Sequence, residues 1–146
     1  MILSLQDLLS DQQAITVTAA STNSIDLGAT GTVYGTTAAI VRDLGKGEPE
    51  VDFLVQATEA FTAAGAATLT ITLQTDDNSA FSSATDALVL GPFGKAVLVA
   101  GWKLPVQYVP NGINERYFRL NYTVATGPML TGKLTAGVVM GRQTNG

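Results

Sequence analysis

The chain has 146 residues and a formal net charge of −4, and only 14% of its residues are charged, well below the usual value of about 25%. It contains no cysteine and no histidine. This composition excludes a disulfide framework and thiolate chemistry, and it removes the commonest metal ligand and the commonest general base at neutral pH. No basic cluster is present that could hold a phosphate backbone, so we expect no direct nucleic-acid binding.

The mean hydropathy is positive, at +0.25, which raises the question of a membrane segment. Apolar runs such as 96–102 are far shorter than the roughly 20 residues that a spanning helix needs. The N-terminal residues lack the basic region and the long apolar core of a signal peptide. We therefore expect no membrane partner, and a chain of this length suits a single domain.

The first element, residues 1–13, carries leucines at helical spacing among polar residues. It predicts a short helical or extended arm that is too short to be stable alone, so it must dock on something. Two docking sites stay open: one end of its own domain, or a neighbouring subunit. We predict an arm at 1–13, a β-sandwich domain at 14–141 and a loose polar tail at 142–146. The candidate assembly contacts are Ile2, Leu3, Leu5, Leu8 and Leu9.

Short segments that alternate between apolar and polar residues follow the arm, and this period of two is typical of strands. Turns rich in Gly, Pro, Asn and Asp separate them. We predict strands at 14–19, 39–45, 51–56, 68–75, 87–90, 95–100, 116–126 and 133–140, and an extended edge piece at 106–110.

The last two of these segments are predicted to be neighbouring antiparallel strands of one sheet. The inward-facing residues of 116–126, of 68–75 and of 133–140 share the same two-residue phase. Large apolar groups on one face of a sheet require a second apolar layer. The predicted core is Phe118, Leu120, Tyr122, Val124, Leu69, Ile71, Leu73 and Leu134.

About eight short strands with no sustained helix and no βαβ rhythm favour an all-β fold. We predict an antiparallel β-sandwich, with a jelly roll as the favoured topology. The connectivity of the strands does not follow from the pattern.

No phosphate-binding, metal-binding or catalytic site is evident in the sequence. The glycine-rich stretch 28–35 lacks the strand, helix and lysine of a phosphate-binding loop and predicts a surface loop. Acidic residues in turns do not have the spacing of a calcium site, and no context supports a glycosidase pair among them. Serines have no histidine to activate them. We expect no enzyme, no metal and no cofactor; the acidic residues considered are Glu48, Glu50, Asp52, Glu59, Asp76, Asp77 and Asp86.

Several stretches carry a family resemblance: RYFRLNYTVATGP, GKLTAGVV, LQDLLSDQQAIT and, more loosely, LTITLQTDDNSAF. They resemble the small cement (decoration) proteins of some short-tailed bacteriophage capsids, of the type found on a Bordetella phage. The resemblance implies a sandwich or jelly roll that is made in the bacterial cytoplasm and sits on the outside of an HK97-type shell. It implies that such subunits oligomerise and clamp adjacent major capsid proteins.

The low charge, together with exposed Ala, Thr and Val, independently predicts an oligomer, with a homodimer preferred and a trimer next. An alternative function is a carbohydrate-binding or host-adhesion module of a phage virion. Such a module needs an aromatic platform, and the candidate residues, which are scattered in the sequence, are Tyr34, Trp102, Tyr108 and Tyr117.

Overall fold

A computed structural model describes residues 2–141; Met1, residues 142–146 and the side chain of Ile2 lie outside the described part. The predicted tail at 142–146 therefore lies outside it as well. The described elements are β1 (Ile2–Ala14), β2 (Ala19–Ala20), β3 (Ile25–Asp26), a 3-10 helix (Leu44–Lys46), β4 (Phe53–Thr62), β5 (Thr68–Asp76), β6 (Thr85–Gly94), β7 (Tyr117–Ala125) and β8 (Thr131–Met140).

The strands form two facing antiparallel sheets, so the predicted antiparallel β-sandwich is confirmed. One sheet has the order β1-β8-β4, and the other has the order β2-β7-β5-β6, with β3 also paired to β7. Residues 102–109 run antiparallel along the free edge of β4. Four backbone bonds of 2.8–2.9 Å fix them there, including Phe53 N–H to Gln107 O and Leu104 N–H to Val55 O.

The pairing is nested as in a jelly roll. β1 pairs with β8, β2 and β3 pair with β7, β4 pairs with residues 102–109, and β5 pairs with β6. The strand predicted at 95–100 is wrong, because those residues form turns and the chain becomes extended only after Gly101. Pro105 and Pro110 interrupt the following segment, since proline cannot donate to a ladder.

β7 and β8 do not lie side by side, which corrects the prediction that they are neighbours in one sheet. β7 lies between β2 and β5, whereas β8 lies between β1 and β4 in the opposite sheet. The loop 126–130 carries the chain across the sandwich. Alternation shows that a strand has one buried face, and both sheets of a sandwich satisfy that pattern equally.

The core lies between the sheets. Phe118, Leu120 and Tyr122 of β7 pack with the apolar side chains of β5 in the same sheet and of β4 and β8 in the opposite sheet. Val124 is only half-buried, because it lines an open surface pocket together with Val17 and Pro128. The other seven residues of the predicted core are at most 2% exposed: Phe118, Leu120, Tyr122, Leu69, Ile71, Leu73 and Leu134.

β1 is a strand of the sandwich and not a separate arm. It pairs with β8 from Ile2↔Met140 to Ala14↔Lys133, with three register irregularities. Leu8 and Leu9 are buried, and Leu9 belongs to the core. Their assignment as assembly contacts and the boundary at residue 13 are therefore corrected. Irregular pairing breaks the two-residue alternation, which is why the leucines imitate a helical spacing.

The connecting loops gather at two opposite ends of the sandwich, because consecutive strands run in opposite directions. We call one the neutral end; it consists of loops 15–18, 63–67, 95–101 and 126–130. We call the other the charged end; it consists of loops 27–52, 77–84 and 110–116, beside the start of β1 and the end of β8. Among the described residues, no helix is long and apolar enough to cross a membrane.

Candidate assembly surfaces

The most exposed segment of the charged end is a loop at residues 28–41. Every residue from 29 to 41 is exposed, and none of them carries a charge. The loop folds on itself through a bridge between Thr32 and Ala39 and a bond from Ile40 N–H to Gly31 O at 2.9 Å. Tyr34 at its tip is fully exposed, and Val41 is 94% exposed. Exposed apolar groups on an ordered loop are typical of a contact surface.

Arginine and aspartate side chains hold the base of this loop. Nη1 of Arg42 donates to Leu27 O at 2.9 Å and to Gly28 O at 3.0 Å, and Nη2 donates to Glu115 O at 3.2 Å. The Asp43 carboxylate accepts the Gly112 N–H at 3.0 Å. The loop is thereby tied to 110–116, so its tip is presented from a fixed base.

A second set of contacts, between Arg116 and Asp26, lies on the other side of the base of the 28–41 loop. The Arg116 guanidinium donates to both carboxylate oxygens of Asp26, each at 2.8 Å. This bidentate bond, with a smaller contribution from the Gly28 N–H, lowers the pKa of Asp26 to about 2. Bidentate arginine–carboxylate pairs fix orientation as well as distance.

Glu115 lies in an unfavourable electrostatic environment. Burial raises the pKa of its carboxyl group, and the negative charges of Asp77 and Asp76 raise it further. Within residues 2–141, Oε2 of Glu115 and Nε of Arg42 are buried and lack a hydrogen-bond partner. A carboxylate in such a place destabilises the fold when it is ionised.

The predicted assembly residues of β1 separate into two groups. Leu3 and Leu5 are exposed, Leu5 at 82%, and the exposed Met140 lies at the adjoining end of β8. Leu8 and Leu9 are inside the fold, and the side chain of Ile2 is outside the described part. The start of β1 thus offers Leu3 and Leu5 at the same end of the molecule as the 28–41 loop.

Three of the acidic residues considered in the sequence, Asp76, Asp86 and Glu59, have local structural partners. Asp76 is buried and accepts the N–H groups of Asn78 and Ser83, each at 2.8 Å, so it shapes the 77–84 loop. These bonds, that of Asn78 first, lower its pKa. Asp86 accepts from the Gln74 amide, and Glu59 pairs with Lys133 at 3.0 Å. Across residues 2–141, no three acidic side chains converge to hold a metal ion.

The four aromatic residues of the proposed glycan platform occupy different settings. Tyr34 stands at the tip of the 28–41 loop, and Tyr117 lies under the Arg116 guanidinium at 4.9 Å. Trp102 packs edge-to-face on Phe93 with ring centroids 4.9 Å apart, at the opposite end from Tyr34. Tyr108 lies beside β4 through its bridge to Asp52.

The glycines at 28–35 predict an ordinary surface loop, whereas the structure shows residues 28–41 as a candidate contact surface. A signal was present, because thirteen consecutive uncharged residues include Val33, Tyr34, Ile40 and Val41. Exposed loops are usually richer in charge, and large apolar residues in one need a covering partner. The arginine and aspartate residues that fix the loop's base could be identified only in three dimensions.

Comparison with known proteins adds one result. No curated protein matches the chain. The family model described as Bbp16 matches residues 9–138, which include nearly all of the sandwich from the buried half of β1 to the end of β8. The chain therefore belongs to the Bbp16 family, whose name is that of a Bordetella phage protein family.

Proposed function

We propose that this phage protein is a capsid decoration (cement) protein. In this role it binds the outer surface of an HK97-type shell as a homodimer and stabilises contacts between neighbouring major capsid proteins. Its membership of a phage protein family supports a virion role, and the sequence resemblance described above supports the decoration role. The role needs no cofactor and no catalytic group.

The observation that carries the proposal is the 28–41 loop. A charge-free loop with Tyr34 and Val41 almost wholly in water costs free energy unless a partner covers it. The Arg42 and Asp26–Arg116 contacts hold its base, so binding would order few additional groups. Preorganised loops bind more tightly for that reason.

The exposed leucines of β1 provide a second contact at the same end. Leu3 and Leu5 precede the buried half of β1, and Met140 adjoins them. Two contact elements on one rigid body raise the effective concentration of the second once the first is engaged. A subunit that reaches two neighbouring shell proteins in this way would hold them together against internal pressure.

Binding of purified protein to phage heads that lack it tests the proposal. A Tyr34→Asp/Val41→Asp variant should lose about 100-fold in affinity for the heads, because it places charge on the loop that we expect to be buried. Val89→Asp is the matched control, since Val89 is half-exposed on β6 and far from the loop in the fold. Equal binding of both variants and the parent would contradict the proposed contact surface.

A glycan array, with Tyr34→Ala as the variant, tests the host-adhesion alternative. A glycan array probed with the parent should show no binding that depends on Tyr34. Specific glycan binding that Tyr34→Ala abolishes, together with no affinity for heads, would replace the decoration role with the adhesion role.

A further inference from the structure

The neutral end differs in composition from the rest of this acidic chain. Its four loops, 15–18, 63–67, 95–101 and 126–130, comprise 21 residues and contain a single charged one, Lys95. The Lys95 ammonium donates to Ala63 O at 2.7 Å, so it joins two of the loops. The three loops of the charged end contain three basic and six acidic residues, a net charge of −3.

Hydrogen bonds hold the neutral-end loops to one another and to the ends of the adjoining strands. Met129 N–H donates to Thr16 O at 2.9 Å, and Leu130 N–H donates to Thr62 O at 2.7 Å. The Thr18 hydroxyl exchanges bonds of 3.0 and 3.3 Å with the backbone of Val124. The surface is therefore preformed, and a partner would not have to order it.

Large apolar side chains project from this surface. Val17, Val97, Val99 and Leu130 are each 48–60% exposed. Beside Val17 lies an open surface pocket of about 370 Å³, and Val124 and Pro128 are among the residues that line it. Polar side chains such as Gln74, Arg119 and Asn121 alternate with buried ones on the outer side of the larger sheet. The neutral end therefore combines exposed apolar side chains with a single charge, whereas the exposed apolar residues of the 28–41 loop and of the start of β1 lie at the end that carries most of the acidic loop residues.

We infer that the neutral end is the surface through which two copies of this chain associate. The protein carries a net charge of −4, so copies repel one another, and Coulomb energy scales with the product of the facing charges. In a contact between two charged ends, loops with a net charge of −3 face loops with a net charge of −3. In a contact between two neutral ends, one lysine faces another. Among contacts between like ends, which a twofold axis requires, the repulsion at equal distance is about ninefold smaller for the neutral ends.

The surface is large enough for such a contact. Sixteen of its 21 residues are exposed or half-exposed, which is somewhat fewer than the roughly 20–30 residues a side of a standard interface and suits a small one. A twofold contact also leaves the 28–41 loops at the two outer extremes of the dimer. The inference thus supplies the surface for the proposed homodimer and rests on that part of the proposed function.

Light scattering on the full chain across a range of concentrations tests the inference. A Val17→Asp/Val99→Asp variant should weaken self-association at least about 100-fold and scatter as a 15.1 kDa monomer where the parent is a dimer. Val41→Asp, at the charged end, is the matched control and should remain dimeric. Gly65→Asp is a second test that is safe for folding, because a side chain there meets nothing within 4 Å.

Each other result counts against the inference. A monomeric parent, a Val17→Asp/Val99→Asp or Gly65→Asp protein that still dimerises, or a Val41→Asp protein that dissociates would overturn it. Larger open assemblies of the parent would also overturn it, because they indicate contact between neutral and charged ends. Head binding separates the two proposals: monomeric Val17→Asp/Val99→Asp should still bind heads, and Tyr34→Asp/Val41→Asp should dimerise without binding.

Discussion

Ser10 and Tyr122 are hydrogen-bonded inside the core, with 2.7 Å between Oγ and Oη, although their strands belong to different sheets. The Ser10 hydroxyl donates its proton to Oε1 of Gln13 at 2.8 Å, so the Tyr122 hydroxyl is the donor to Ser10. Gln13 in turn accepts the Thr22 N–H and donates to Ala20 O. This network ties the middle of β1 to the larger sheet.

Replacing Ser10 should destabilise the protein more than removing the Tyr122 hydroxyl. Ser10→Ala leaves a buried tyrosine hydroxyl without a partner, which costs about 1–3 kcal/mol. Tyr122→Phe removes the donor and leaves Ser10 bonded to Gln13, so a loss of about 1 kcal/mol is expected. Urea unfolding of both variants measures the difference, and a Ser10→Ala protein as stable as the parent would contradict the network.

Phe118 tests the register of the core. Its side chain is fully buried between the sheets, so Phe118→Ala should lower the free energy of unfolding by about 3–5 kcal/mol through lost transfer energy and a cavity. Thr123→Ala, at an exposed position of the same strand, should change it by about 0.5 kcal/mol or less. Similar stability of the two variants in chemical denaturation would show that β7 faces the other way.

Much of this core follows from the sequence, because alternation at 68–75 and 116–126 marks the buried face directly. The pairing of the strands does not follow from the sequence, since the same alternation fits either sheet and cannot distinguish neighbouring strands from strands in opposite sheets, such as β7 and β8. The sequence predicts only part of the 102–109 segment, because Pro105 and Pro110 interrupt its strand pattern. The charged end could not be predicted, because Arg42, Asp26 and Arg116 are brought together by loops that are distant in sequence.

Two truncations separate the exposed and buried halves of β1. Removing residues 1–6 takes away Leu3 and Leu5, which are exposed, and should leave the melting temperature within a few degrees of the parent's. Removing residues 1–13 also removes Leu9 and Ser10, and this protein should not fold. Circular dichroism melts measure both, and a stable domain without residues 1–13 would restore the interpretation of β1 as a separable arm.

Glu115 should make stability depend on pH. Its pKa in the folded protein is raised by burial and by Asp77 and Asp76. The protonated Glu115 carboxyl group therefore contributes its full stabilisation below the pKa of about 4.3 that it has in the unfolded chain. This contribution is lost as the pH rises through the pKa of the folded protein. Glu115→Gln should melt at a higher temperature than the parent at pH 7 and at nearly the same temperature at pH 4. A lower melting temperature at pH 7 would show that the ionised carboxylate stabilises the fold.

Electron cryomicroscopy of phage heads tests the central claim most directly. Heads made with and without this protein should differ by jelly-roll density on the outer surface of the shell, with the 28–41 loop facing the major capsid protein. The heads that carry the protein should also withstand higher temperature before they rupture. Identical shells in the two preparations, or density for the protein only in the tail, would contradict the decoration role.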